Sequence, residues 1–264
     1  MSPLGSLGLL WLLAAAVMFC GWLWQRRHHN AGIADVLWSA LLAAAAWLLA
    51  ANGTGASAPR ILLAVLGGGW AVRLVMHLAL RVRREREDGR YQALRARWGG
   101  DERRWLLFFQ LQALSVPLFA LPFVPVAANA HPAAGGLLAG ALIWLVGVLG
   151  ESLADRQLAR FRAAPGHRGR TCRSGLWRYS RHPNYFFEWL HWFAYVAWSA
   201  GSPLAPLAWL GPLVMFVFLR FVSGVPWAEQ QALRARGEDY RDYQRSTSIF
   251  FPWFPHRPPP GADR

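Results

Sequence analysis

The chain of 264 residues contains no lysine, so arginine supplies all 28 of its Lys and Arg charges. Acidic residues number only 14, which leaves a formal net charge of +14 at pH 7. A charge of this size is typical of nucleic-acid-binding proteins, whose cations neutralise phosphates. Here the arginines are concentrated in alternate connections between apolar segments, and membrane topology explains that placement. Arginines so placed also suit the anionic headgroups of membrane lipids, which we predict as partners. We therefore predict no nucleic-acid partner.

Cysteine is also scarce, with Cys20 inside an apolar segment and Cys172 in a polar one. Two cysteines so placed predict neither a disulfide nor a cysteine-based metal site. The eight histidines show no metal-ligand spacing, and we predict no bound metal. The glycines of Leu66–Trp70 lie within an apolar segment and lack the spacing of a dinucleotide-binding turn, so they indicate close helix packing.

Long apolar runs dominate what is present. A helix needs roughly 20 mostly apolar residues to cross a bilayer, and seven segments approach or reach this length. We therefore predict an all-α, polytopic membrane protein with seven transmembrane helices. The seven segments are Pro3–Trp24, Ala31–Ala51, Ile61–Leu80, Leu106–Ala128, Ala134–Leu149, Tyr185–Ala200 and Leu204–Val222.

The arginines predict the orientation of these segments. Arginine-rich connections face the cytoplasm, which gives an N-out, C-in topology. The composition, rich in alanine and with arginine in place of lysine, predicts a bacterial inner membrane. We expect a single transmembrane domain over residues 1–254 and a disordered tail over residues 255–264. The arginine-rich stretches are Gln25–Asn30, Arg81–Arg104, Asp155–His182 and the chain after Arg220; the arginine-poor ones are Asn52–Arg60, Asn129–Pro132 and Gly201–Pro203.

The segment Arg178–Glu188 places cations and one carboxylate at the start of an apolar segment. A carboxylate one helical turn inside such a segment costs several kcal/mol unless it is paired, protonated or used, so Glu188 is a candidate functional residue. Asp35 lies about one turn inside the second segment, where it either stabilises the helix dipole or belongs to a site. Arg73 and His77 share a helix face, and a structural pair and a site are equally open for Arg73.

Helical spacing also connects Glu151, Asp155 and Arg162, and either a pocket wall or a solvated charged face explains it. The next motifs favour the pocket. The segment Gly175–Glu188, followed by Glu229, Gly237–Tyr243 and Phe251–Trp253, resembles the DUF1295 type of steroid 5-alpha-reductase-like membrane proteins, which are related to sterol C14 reductases. The resemblance covers most of the chain from Asn30 to Pro252.

This resemblance implies an enzyme that uses NADPH to reduce a conjugated carbon–carbon double bond in a lipophilic, steroid-like or lipid substrate. It implies that Asn184 contacts the nicotinamide and that Glu188 donates a hydrogen bond to the substrate carbonyl. Tyr185 or water then supplies a proton. The remaining implied cofactor contacts are Asp155, Arg162, Arg170, Arg181, His182, Glu229 and Tyr240. Asp35, which we also count as catalytic, joins Trp38, Trp70 and Arg73 as substrate contacts.

Isoprenylcysteine carboxyl methyltransferases and phospholipid methyltransferases are a competing resemblance, because they share the Arg-His-Pro element of Arg181–Pro183. Their cofactor is S-adenosylmethionine. A Glu-Glu pair is typical of them where this chain has Glu229 and Gln230, and Asn184 and Glu188 are placed as in the reductases. The reductase is therefore favoured over the methyltransferase. A third hypothesis is a lipid-binding protein without turnover. The sequence does not determine the oligomeric state.

Overall fold

The computed structural model describes residues 2–167 and 169–256, and within them it contains helices and connecting segments but no strand. Of the predicted tail at 255–264, residues 257–264 lie outside the described part. The helices of the first half are α1 (Pro3–His28), α2 (Ile33–Asn52), α3 (Ser57–Leu62), α4 (Gly68–Arg84), α5 (Gly89–Trp98), α6 (Glu102–Ala120) and α7 (Phe123–Ala127). Those of the second half are α8 (Ala134–Ala163), α9 (Pro183–His191), α10 (Phe193–Trp198), α11 (Ala205–Ala208), α12 (Leu210–Val217), α13 (Val225–Arg236) and α14 (Glu238–Ser246).

Five helical stretches among the described residues are long and apolar enough to cross a membrane. The chain is therefore an all-α integral membrane protein, as the apolar runs predicted. The number seven and the orientation stay predictions. The five stretches are Pro3–His28, Ile33–Asn52, Ser57–Arg84, Ala134–Ala163 and Ala205–Arg236.

Two of the seven predicted segments are not among these five stretches, and each of the two is divided between shorter helices. Within Leu106–Ala128, α6 ends at Ala120 and α7 begins after Pro122, where a proline nitrogen cannot donate a helical hydrogen bond. Within Tyr185–Ala200, α9 and α10 are separated at Trp192, whose N–H donates to the carbonyl of Trp189 at 3.2 Å in a tight turn. Local chain breaks therefore explain why these two fall short of one long helix.

The described chain forms two compact units. The first comprises residues 2–141 and 195–211, and the second comprises residues 142–194 and 212–256. The expected single domain over 1–254 stays a prediction.

In the first unit α2 packs against α1, α4 and α6, and small side chains such as Ala43, Ala45 and Ala46 are buried on it. Small residues let transmembrane helices approach closely. A π-helical turn over Leu63–Gly67 precedes α4, and Trp47 Nε1 donates to the Ala64 carbonyl at 3.0 Å.

Polar contacts tie the arginine-rich ends of these helices together. The carboxylate of Glu102, which begins α6, accepts from Gln25 Nε2 and Trp22 Nε1 near the end of α1, both at 3.0 Å. Glu87 accepts from the Ala31 N–H and from Arg95 Nη2, both at 2.8 Å. The ends of α1 and α4, the start of α6 and all of α5 therefore lie on one side of the unit.

In the second unit two glycines set how closely α8 approaches α9. A Cβ at Gly147 would lie 3.0 Å from the backbone nitrogen and Cα of His191, and one at Gly150 would overlap the ring of Phe187. α8 has 30 residues and is therefore about 45 Å long, which exceeds the roughly 30 Å of a hydrocarbon core. Its last turns, which carry Asp155 and Arg162, extend beyond that length.

Candidate functional site

The carboxylate of Glu229, on α13, is the centre of a buried polar cluster in the second unit. Arg181 donates to it twice, from Nε at 2.8 Å and from Nη2 at 3.2 Å. Tyr240 donates from its hydroxyl at 2.8 Å, and His182 Nε2 lies 3.1 Å away. Gln244 Nε2 donates to the second carboxylate oxygen. Five donors therefore surround one carboxylate, which has lone pairs for about four strong bonds.

Arg181 is as fully engaged as its partner. Its side chain is only 9% exposed, and its Nη1 donates to the carbonyls of Gln244 and Thr247, both at 2.9 Å. Four predicted cofactor contacts, Arg181, His182, Glu229 and Tyr240, are thus brought together, and they bind one another. Their role at a cofactor stays a prediction.

Burial and charge determine the protonation states around this cluster. The pKa of His182 is lowered from 6.5, chiefly because burial penalises the charged ring, although the hydrogen bond to Glu229 opposes the shift. A neutral imidazole beside a carboxylate carries its proton on Nε2, which then donates. The pKa of Tyr240 is raised by burial and by the negative charge of Glu229. Both side chains therefore act as neutral donors to the carboxylate.

The C-terminal segment holds the loop that precedes α9. The Arg181 N–H donates to the Ser248 carbonyl at 2.8 Å, and Ser180 Oγ donates to the Phe250 carbonyl at 2.9 Å. The Trp253 N–H donates to the Tyr179 carbonyl at 2.9 Å. The position at which α9 begins is therefore fixed by residues more than sixty positions later in the chain.

Asn184, in the first turn of α9, has a fixed orientation and one free acceptor. Its Nδ2 donates to Asp155 Oδ1 at 3.2 Å. Because a carboxylate only accepts, this bond determines which amide atom is nitrogen. The opposite atom, Oδ1, is buried and has no hydrogen-bond partner among the described residues. An unpaired buried acceptor costs about 1–3 kcal/mol, so this atom suits a ligand that brings an N–H donor.

Glu188 lies one turn beyond Asn184 on α9, and its side chain is 12% exposed. Its Oε1 accepts from Trp192 Nε1 at 3.3 Å, and its Oε2 lies 3.7 Å from His191 Nδ1. His191 Nδ1 also lies 2.6 Å from the Glu188 backbone carbonyl, which makes it the protonated nitrogen of that ring. Tyr185 stacks on His182 with ring centroids 5.4 Å apart. Asn184 and Glu188 are four positions apart on α9 and therefore share a helix face.

Aromatic rings pack along another side of α9. Phe186 and Trp189 contact the rings of Phe250 and Phe251, and Trp189 also contacts Phe216. Arg162 and Arg170, the predicted phosphate contacts, are exposed at the end of α8 and in the loop after it.

The predicted substrate contacts lie in the first unit. Asp35 accepts from Arg90 Nη2 at 2.9 Å and from the Tyr91 hydroxyl at 2.8 Å. Trp38 Nε1 donates to Ser115 Oγ at 3.0 Å. Trp70 is buried and Arg73 is half-buried. Their assignment to substrate, and that of Asp35 to catalysis, stay predictions.

Several partners were not identified from the sequence. Arg90 forms an ion pair with Asp35, and the Tyr91 hydroxyl donates to the same carboxylate. Trp192 contacts Glu188, and Gln244 contacts Glu229. Only Trp192 had a usable signal, since it follows Glu188 by four positions and therefore shares its helix face.

One family profile matches the chain over residues 21–247, and that family is described as a protein of unknown function, DUF1295. The chain belongs to the DUF1295 family. The match includes both the Asn184–Glu188 face and the Glu229 cluster. No curated protein and no solved structure matches this DUF1295 protein.

Proposed function

We propose that this DUF1295 protein is a membrane-embedded, NADPH-dependent reductase of a conjugated carbon–carbon double bond in a lipophilic substrate. One observation carries the proposal: the Asn184 amide is oriented by Asp155 so that its unpartnered, buried Oδ1 faces away, one turn before Glu188. A nicotinamide carboxamide has the N–H donor that this oxygen lacks. The residues therefore fit the nicotinamide end of the cofactor.

Bound NADPH would supply a hydride. Asn184 accepts a hydrogen bond from the carboxamide and orients the ring, and Asp155 keeps Asn184 in place. Glu188, in its protonated form, donates a hydrogen bond to a carbonyl oxygen on which negative charge develops. Trp192 and His191 restrict the rotation of the Glu188 side chain, and Tyr185 or water donates the proton.

The cofactor phosphates require cations, and we assign that role to the exposed arginines Arg162 and Arg170. Arginine grips phosphate through two parallel hydrogen bonds. Arg181 contributes instead by fixing the start of α9, since its donors are directed at Glu229 and at backbone carbonyls. With the predicted orientation, this site lies on the cytoplasmic side of a bacterial inner membrane, where NADPH is present.

Aromatic residues on the same helix as Glu188, Phe186 and Trp189, favour a substrate that dissolves in lipid. The predicted substrate contacts Trp38, Trp70 and Arg73 belong to the first unit, on helices α2 and α4. An enone whose body is steroid-like or lipid-like meets these requirements.

The proposal is tested by comparing two ligands that differ only at the nicotinamide. NADPH and 2′-phospho-ADP-ribose share every phosphate, and only NADPH has the carboxamide. Asn184→Ala should weaken NADPH binding by about tenfold, the value of one hydrogen bond to a buried partner, and leave 2′-phospho-ADP-ribose binding unchanged. Arg162→Ala should weaken both ligands equally. If Asn184→Ala lowers the affinity for both ligands equally, Asn184 does not contact the nicotinamide.

The same binding measurement distinguishes the methyltransferase. Saturable binding of S-adenosylmethionine by the purified protein, without binding of NADPH, would replace the reductase proposal with the methyltransferase. Binding of neither would favour a lipid-binding protein without turnover.

Turnover is tested at Glu188. Glu188→Gln preserves the shape and can donate only a weaker hydrogen bond, so it should keep NADPH affinity and lose about a hundredfold in NADPH oxidation with a lipophilic enone. Glu238→Gln, at an exposed glutamate of the same unit, is the matched control and should keep full activity. A fully active Glu188→Gln ends the catalytic assignment of Glu188.

A further inference from the structure

The arginine-rich side of the first unit has more cations than its own carboxylates neutralise. The unit contains six acidic residues, all of them described, and each forms an ion pair with arginine. Five arginines suffice for all of these pairs, namely Arg26, Arg81, Arg90, Arg95 and Arg104. The pairs are Arg26–Glu102, Arg81–Glu85, Arg81–Asp88, Arg90–Asp35, Arg90–Asp88, Arg95–Glu87 and Arg104–Asp101.

Six further arginines on this side are exposed, and their side chains have no hydrogen bond, ion pair or ring contact with the described residues. We call them the free arginine surface. They are Arg27 at the end of α1, Arg83 and Arg84 at the end of α4, Arg86 just after α4, Arg97 in α5 and Arg103 at the start of α6.

The free arginine surface lies where membrane helices end. α1 and α4 belong to two of the five stretches that can cross a bilayer, and their last turns carry Arg27, Arg83 and Arg84. The hydrogen bonds of Glu102 and Glu87 bring the ends of α1 and α5 and the start of α6 to this same side. The cations are therefore placed at headgroup depth.

We propose that the free arginine surface binds the phosphates of anionic phospholipids, and that this DUF1295 protein selects a shell of anionic lipid around its first unit. Guanidinium groups grip phosphate bidentately, and each arginine near an anionic leaflet contributes about 1 kcal/mol, or about fivefold in preference. The surplus charge has no internal partner, so its counter-charge comes from outside the chain. A lipid leaflet supplies that charge at the position where the helices place it.

Lipid retention tests the proposal. The full chain is purified in mixed micelles that contain equal amounts of phosphatidylglycerol and phosphatidylcholine, and the retained phospholipids are quantified by mass spectrometry. We expect the retained ratio to favour phosphatidylglycerol at 0.1 M salt and to fall at 0.5 M salt, because salt screens exposed charges. A ratio near one at low salt overturns the proposal.

A triple variant locates the effect. The α4 variant, which combines Arg83→Gln, Arg84→Gln and Arg86→Gln, should lower the phosphatidylglycerol preference by at least about fivefold and at most about a hundredfold. The three corresponding Lys substitutions keep the charge and should retain most of the preference. Because these side chains form no hydrogen bond, ion pair or ring contact with the described residues, the melting temperature should not change in either variant.

A charge-matched control distinguishes an effect of the free arginine surface from an effect of the net charge of the protein. Combining Arg160→Gln, Arg178→Gln and Arg234→Gln removes three exposed cations from the second unit. It should change the preference much less than the α4 variant does. An equal loss in both variants, or no loss in the α4 variant, contradicts the proposal. So does tight RNA binding that the α4 variant abolishes while the lipid ratio stays near one.

Discussion

Replacing Glu229 by glutamine should destabilise the second unit even when no ligand is present. The carboxylate accepts from Arg181, His182, Tyr240 and Gln244, whereas a glutamine side chain has one oxygen and adds two N–H donors. Donors from Arg181 or Gln244 would then face an NH₂ group. The Arg181 guanidinium, with only 9% of its side chain exposed, would also lose its counter-charge.

The magnitude follows from the burial of this pair. Removing one partner of a buried ion pair typically costs about 3–5 kcal/mol, because the other charge stays buried without compensation. Water does little to screen a side chain as buried as Arg181. We therefore expect Glu229→Gln to lower the free energy of unfolding by about 3–5 kcal/mol, and Glu229→Gln combined with Arg181→Met to recover part of that loss.

The measurement is reversible unfolding in mixed micelles of increasing sodium dodecyl sulfate, without nucleotide. Glu238→Gln is the control, since Glu238 is 68% exposed and its pairs with Arg241 and Arg245 are worth at most about 1 kcal/mol. A Glu229→Gln protein within about 1 kcal/mol of the wild type, with NADPH affinity reduced, would refute this reasoning. Glu229 would then be a cofactor contact rather than the centre of a structural cluster.

Three further outcomes are expected. Because burial lowers the pKa of His182 below 6.5, the unfolded chain binds a proton that the folded chain does not as pH falls below about 6.5; the free energy of unfolding should therefore drop from pH 7.5 to pH 5.5, and His182→Gln should reduce that drop. Gly147→Val should lower the free energy of unfolding by about 1–3 kcal/mol or more, because the added side chain would overpack α8 on α9. Gly135→Ala, whose Cβ would meet open space, should leave the melting temperature unchanged. Arg162→Ala and Arg170→Ala should each weaken NADPH by about 1.5–3 kcal/mol in fluorescence titrations without lowering the melting temperature; unchanged affinity in both would remove them from the site.

Features that depend on neighbouring residues were predictable from the sequence. Apolar length identified the helices α1, α2 and α8, and the spacing of four between Asn184 and Glu188 placed both on one face of α9. The division at Trp192 was not predictable, because no proline or glycine marks it. The division between α6 and α7 was marked by prolines, but the prediction of one helix over Leu106–Ala128 relied on apolar length alone.

Contacts between distant parts of the chain were harder to predict. Arg181, Glu229 and Tyr240 were identified as site residues through the family resemblance, but nothing local indicates that they bind one another. The bond between Asp155 and Asn184 joins two helices 29 positions apart. Its geometry depends on the close approach that Gly147 and Gly150 allow, and a single sequence does not reveal which helix lies against those glycines.

The bonds between the loop before α9 and the last described residues have a consequence for biogenesis. Ser248, Phe250 and Trp253 leave the ribosome more than sixty residues after Tyr179, Ser180 and Arg181, yet they anchor those three residues. The first unit has most of its chain available long before that moment. The Asn184–Glu188 face therefore matures only after residue 253 has been synthesised, and a nascent chain that stops short of residue 248 can reach the membrane without ever acquiring it.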